Sequence, residues 1–162
     1  MLLLSLGVVG AAPAAPPKCY INTNATGAKT VVGNGGTLSR MIGKATAGSV
    51  LSIDGTCISN FVIAANLTLQ NADLGAGDGI NAMLDGGLNG SVVTVNANVT
   101  LTLYNVTITH GAPTRKGTGG SGLVLASGSI ANLYEATSIT GNSATSGAGV
   151  NLTSATLNVY GD

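Results

Sequence analysis

Asp54 and Asp85 each stand immediately before a glycine, in the phrases IDG and LDG. If these phrases hold the same place in successive repeats, stacking brings the two carboxylates together. Facing carboxylates can hold Ca²⁺. The competing reading is an Asp-Gly turn made twice. His110, Arg115 and Lys116 lie in THGAPTRKGTGG, the longest charged loop of the chain. Such loops often carry function. Arg115 either contacts an acidic sugar or is a solvated loop charge. His110 is the single histidine and has no evident carboxylate partner in the sequence, which is weak ground for acid–base chemistry. Tyr104, Tyr134 and Tyr160 recur beside a leucine column, and they either stack on sugar rings or pack outward against one another.

Other chemistry is excluded or left open. Glu135 is the only glutamate, so a pair of glutamates cannot work on a glycosidic bond. Asp73 and Asp78 sit in NADLGAGDGINA, whose spacing does not match a calcium nonapeptide and which does not recur. That stretch is expected to be a loop. Cys19 and Cys57 form a disulfide if the protein is exported, or otherwise remain two small buried thiols. A zinc site lacks partners, given one histidine. Asn24, Asn66, Asn89, Asn98, Asn105 and Asn151 begin Asn-x-Thr/Ser triplets, which are glycan acceptors in a eukaryotic secretory pathway. A chain rich in Asn, Val, Leu and Thr also writes such triplets by chance.

Composition narrows the class. Charged residues make up 7% of the 162 and the formal net charge is zero, so no basic surface for nucleic acid and no acidic tail is expected. At 44% hydrophobic, the chain lies outside the usual composition of disorder. There is no Trp, and Phe61 is the only Phe. Gly, Ala, Ser, Thr, Asn, Val, Leu and Ile suit short strands and tight turns.

The elements that must position these residues begin after residue 17. Residues 1–17 read as the apolar core and small-residue end of a secretory signal peptide, so the protein is expected to be secreted or displayed at the cell surface. A charged n-region is lacking, which points to a start further upstream. The run is too short to span a bilayer, and no later stretch can span one. Residues 18–48 form an N-terminal cap region with one helix over 37–47. Leu38, Met41, Ile42 and Ala45 give it one apolar face, with Thr37 as N-cap and Gly48 as stop.

From residue 49 the pattern changes to alternation. The chain falls into about four lines of three strand-like pieces, separated by Gly, Asn, Ser or Asp. Leu67, Leu101, Ala131 and Leu157 align down one column, and Leu69, Leu103, Leu133 and Val159 down another. Ile53, Leu84, Ile108 and Ile139 align in the first piece. The steps between repeats are unequal, as in a solenoid with variable loops. One turn cannot bury its apolar side alone, whereas stacked turns close a continuous core. The helix is expected to cover the open first coil, because an uncovered edge invites aggregation.

The runs GTCISNFVIAANLTLQNA and MLDGGLNGSVVTVNANVTLTLYNVTITHG resemble bacterial secreted right-handed parallel β-helix proteins of the pectin-lyase-like superfamily. The repeats are also similar to those of polymorphic outer-membrane proteins. Their Gly-Gly-Gly-Ile-Tyr-Asn motif is degenerate here, as GGSGLVLAS and SGAGVNLTS. The resemblance implies an all-β fold: a right-handed parallel β-helix of about four three-strand coils over 49–162, behind the N-terminal helix. Pectate lyases of this superfamily combine clustered acids for calcium with an arginine base, and its hydrolases use a tight group of aspartates, which this chain lacks. The chain stops within a repeat, at LNVYGD, and reads as part of a longer protein. The expected function is that of a non-catalytic segment of a cell-surface adhesin or glycan-binding protein, with no cofactor. Its partner would be a polysaccharide or cell-surface glycan, met through Tyr104, Tyr134, Tyr160 and Arg115. The alternative is the N-terminal part of a polysaccharide lyase or hydrolase, with Ca²⁺ at Asp54 and Asp85. The third and least favoured reading is ice binding through threonine rows: Thr68 and Thr102 align, but Asn132 and Asn158 break that row.

Overall fold

The computed structural model describes residues 18–23, 29–74, 82–113 and 121–161. The signal-peptide expectation for 1–17 lies outside them, as do Asn24, Asp78, Arg115 and Lys116. The described chain is mostly β. It opens with β1 (Cys19–Asn22) and β2 (Val31–Gly33), continues into helix α1 (Gly35–Lys44), and enters the long strand β3 (Ser49–Ile58). Then come β4 (Phe61–Ile63), β5 (Leu67–Asn71), β6 (Met83–Asp85), β7 (Val93–Val95), β8 (Thr100–Tyr104) and β9 (Thr107–Thr109). The last are β10 (Leu123–Leu125), β11 (Ile130–Tyr134), β12 (Ser138–Ile139), β13 (Val150–Leu152) and β14 (Thr156–Val159).

The strands stack in parallel, and the chain returns to the same three stacks in the same order. One stack runs from the end of β3 through β6 and β9 to β12. The second is β4, β7, β10, β13. The third is the start of β3, then β5, β8, β11 and β14. Because β3 belongs to two stacks, the first and third join into one curled sheet of ten strands that includes β1 and β2; the second is a separate sheet of four. The result is a solenoid-like parallel β structure.

The leucine columns are in register. Leu67 lies opposite Leu101, Leu101 opposite Ala131, and Ala131 opposite Leu157. Leu69, Leu103, Leu133 and Val159 pair in the same way. Leu67, Leu69, Leu101, Leu103, Ala131 and Leu133 meet Phe61, Ile63, Val93, Val95, Leu123 and Leu125 from the second stack in one buried core, with Leu157 partly buried against it, while Val159 at the last strand is exposed. Alternation explains this, since every second residue of a strand faces the same side.

The first column differs from the sequence expectation. Leu84 pairs with Cys57, not with the column position of Ile53, and continues to Ile108 and Ile139. Ile53 instead lies opposite Asn71, in the third stack. The reason is local. Gly55 looks like a turn after Asp54, but it sits inside β3 with φ of 75° and lets the strand pass from one stack to the next without a loop.

Helix α1 begins two residues before the expected start and ends at Lys44. Its N-cap is Asn34, whose side chain accepts a hydrogen bond from the Thr37 amide at 3.0 Å. Leu38 and Ile42 are buried, and Met41 and Ala45 pack against the same core. The apolar face thus covers the start of the solenoid. Strand β1 adds antiparallel pairing to β3 on one side and β2 on the other, which the sequence alone did not indicate.

Candidate functional site

The outward face of the third stack carries two polar columns, fixed by strand register. One column runs Val50, Thr68, Thr102, Asn132, Asn158. The other runs Ser52, Gln70, Tyr104, Tyr134, and Tyr160 follows just beyond β14. Residues within each column touch. Gln70 donates to Ser52 Oγ at 3.0 Å, and Asn158 donates from Nδ2 to Asn132 Oδ1 at 2.9 Å.

The tyrosines stack on one another. Ring centroids are 4.7 Å apart between Tyr104 and Tyr134, and 4.4 Å between Tyr134 and Tyr160, with interplanar angles of 14° and 9°. Both faces of Tyr134 are therefore occupied by its neighbours. A sugar ring cannot stack on it, and contact there is limited to ring edges and hydroxyls. Desolvation of Tyr134 raises its phenol above the ordinary 10.0, with Tyr160 and Tyr104 adding to the effect. A shallow pocket of about 260 Å³ opens beside it, lined by Leu133, Tyr134, Glu135, Thr137, Val159 and Tyr160 among others.

A second cluster lies at the end of the first stack. Asp85 closes β6, and His110 follows β9 in the next coil with φ of 57°. Asp85 Oδ2 is 2.8 Å from His110 Nδ1. An ionised carboxylate only accepts, so Nδ1 carries a proton, and in the neutral ring Nε2 is then the acceptor. Asp85 Oδ1 accepts from the Gly87 amide at 2.7 Å, which fixes the carboxylate. The imidazole is half-exposed, at 51%. His110 therefore does have a carboxylate partner, contrary to the sequence expectation. The partner was hidden because its pairing is diagonal: Asp85 is directly opposite Thr109, one residue earlier.

Asp54 is not part of this cluster. The residue opposite Asp85 in β3 is Ile58, while Asp54 lies opposite Tyr20 of β1. Asp54 is buried, at 6% exposure, and its Oδ2 accepts from the Leu74 amide at 2.8 Å. The expected Asp54–Asp85 ladder does not assemble, because β3 carries Asp54 four residues ahead of that position. Among the described residues, no group of three His, Cys, Asp or Glu side chains is placed to hold a metal. Asp73 is exposed just beyond β5.

Cys19 and Cys57 are bonded, tying β1 to β3 across 38 residues of chain. Of the Asn-x-Thr/Ser positions, Asn98 and Asn105 hold left-handed turns with φ of 59° and 51°, and Asn66 accepts from the Thr100 amide at 2.9 Å. These asparagines have structural work in the turns. So do Asn60 and Asn142, which the sequence reading passed over. Asn60 Nδ2 donates to the carbonyls of Asn89 and Ser91 at 2.7 and 2.6 Å. Asn142 accepts from the Gly111 amide at 2.8 Å and donates to Ile108 and Thr140 carbonyls. Both stand in a connection from the first stack to the second, Asn60 after β3 and Asn142 after β12, with no Asn column between them to signal the role.

No helix among the described residues is long and apolar enough to cross a membrane. Comparison with protein-family models, curated proteins and solved structures gave no match to this chain.

Proposed function

We propose that the chain is an exported, non-catalytic segment of a cell-surface adhesin or glycan-binding protein, built as a right-handed parallel β-helix. Right-handedness follows the rule that parallel crossovers take that hand in about 98% of cases. Export is supported by the disulfide, which persists in oxidising compartments. The apolar N-terminal run and residue composition agree with it.

The observation that carries the binding reading is the pair of in-register columns on the third stack. Thr68, Thr102, Asn132 and Asn158 run beside Gln70, Tyr104, Tyr134 and Tyr160. A neutral row of hydroxyls, amides and phenols, repeated at each coil, matches a hydroxyl-rich polymer by many weak hydrogen bonds. Stacking on a sugar face is confined to the outer rings, Tyr104 and Tyr160. Arg115 is proposed to add a contact for an acidic sugar. Binding to immobilised polysaccharides, compared between the wild type and Asn132→Ala/Asn158→Ala, tests this reading.

The second reading, a polysaccharide lyase or hydrolase, is favoured by one observation. Asp85 orients His110 as a base would be oriented. An enzyme would release new chain ends from the polymer, and a binding module would not.

A further inference from the structure

We propose that the N-terminal cap is a docking surface for an extended acidic peptide segment of a partner protein, which adds to the free edge of β2 beside α1. Lys18, Lys29, Arg40 and Lys44, four of the six cations of the chain, precede residue 54, and every Asp and Glu lies at or beyond it. All four cations are exposed. Among the described residues no carboxylate pairs with Arg40 or Lys44; Arg40 makes only a long contact with Thr37 Oγ1 at 3.5 Å. Lys44 suits the last turn of a helix, but Arg40 has no such reason to be there.

The geometry selects the partner. A groove of about 280 Å³ runs between β2 and α1, with Val31 and Met41 as its apolar floor and Arg40 and Lys44 on its rim. Strand β2 pairs with β1 on one side, and no described strand lies on the other. Val31 and Val32 are 41% and 59% exposed. An open strand edge offers backbone hydrogen bonds to an incoming strand, and alternate side chains of that strand reach one face. A segment whose groove-facing residues, every second one, are in turn apolar and acidic places the apolar ones on Val31 and Met41 and the acidic ones against Arg40 and Lys44. An anionic polysaccharide would use the cations but not the apolar floor or the strand edge.

The test is amide-shift mapping on the full chain with three probes: a short peptide whose every second residue is in turn Val and Glu, the same peptide with Gln for Glu, and dextran sulfate. The Glu peptide should shift Val31, Val32, Arg40, Met41 and Lys44, and high salt should weaken it. Arg40→Gln/Lys44→Gln should weaken it by about fivefold or more, and Arg40→Lys/Lys44→Arg should restore it. Both positions are exposed, so an unchanged amide spectrum elsewhere reports an intact fold. Equal binding of the Gln peptide, absence of shifts at β2, concentration-dependent self-association in place of peptide binding, or binding of dextran sulfate alone would each overturn the proposal.

Discussion

The Asp85 carboxylate holds the imidazole of His110, which belongs to the next coil, at 2.8 Å. The same carboxylate caps the Gly87 amide. One side chain therefore ties a turn in its own coil to a residue in the following one. Gly86 makes room for this: a Cβ there would lie 2.8 Å from the His110 carbonyl oxygen.

Replacing Asp85 with Ala should release the ring. Nitrogen-resolved NMR should find the proton on Nδ1 of neutral His110 in the wild type and a shift toward the Nε2–H form in Asp85→Ala. Losing these exposed and half-exposed contacts should cost about 1 kcal/mol. An unchanged tautomer would show that Asp85 does not orient the ring. Gly86→Ala should cost more, about 1–3 kcal/mol, because backbone must move.

The tyrosine column makes a pH prediction. Tyr134 ionises above 10.0 in the folded protein. The fold therefore favours the neutral phenol more than the unfolded chain does. That contribution is intact below pH 10.0 and is lost as pH rises through the raised folded value. Tyrosinate absorbance should show late ionisation of Tyr134, and Tyr160→Phe should bring it back toward 10.0. A late group that ignores this substitution would contradict the stacked column as its cause.

The disulfide closes a 38-residue separation, for which chain entropy gives about 3–4 kcal/mol. Cys19→Ser/Cys57→Ser should lose about that much in denaturant unfolding. It should do so by loosening β1 and α1 first, since β1 is held to β3 by the bond and by strand pairing. Leu103→Ala, fully buried at mid-stack, should cost about 2–5 kcal/mol and loosen the whole solenoid.

Calcium should not stabilise the described fold, because Asp54 and Asp85 belong to different pairings. Addition of calcium, or its removal by chelation, should leave the Tm unchanged. A calcium-dependent rise of several degrees would reveal a site that these two carboxylates do not form.

Much of the stacking was legible because the repeats are short, alternating and bounded by turn residues. The register of Leu69, Leu103, Leu133 and Val159 can be read directly from the spacing of those turns. The first coil was misread where that logic fails: Gly55 marks a twist inside β3, not its end. That error produced both the wrong place for Ile53 and the Asp54–Asp85 ladder. The His110–Asp85 pair was missed because column alignment shows direct neighbours and hides diagonal ones. The tyrosines aligned as expected, but no alignment shows that the rings cover each other's faces. The β1–β2 hairpin escaped because strands this short, three and four residues, carry too little alternation to detect.

The most direct test of the account is to incubate the protein with a panel of neutral and acidic polysaccharides, measuring co-sedimentation and chain ends together. The protein should bind at least one polymer saturably, about tenfold or more weakly in Asn132→Ala/Asn158→Ala, and release no new chain ends. New chain ends that disappear in His110→Ala would contradict this and establish an enzyme; no binding to any polymer would leave the paired columns without the role assigned to them.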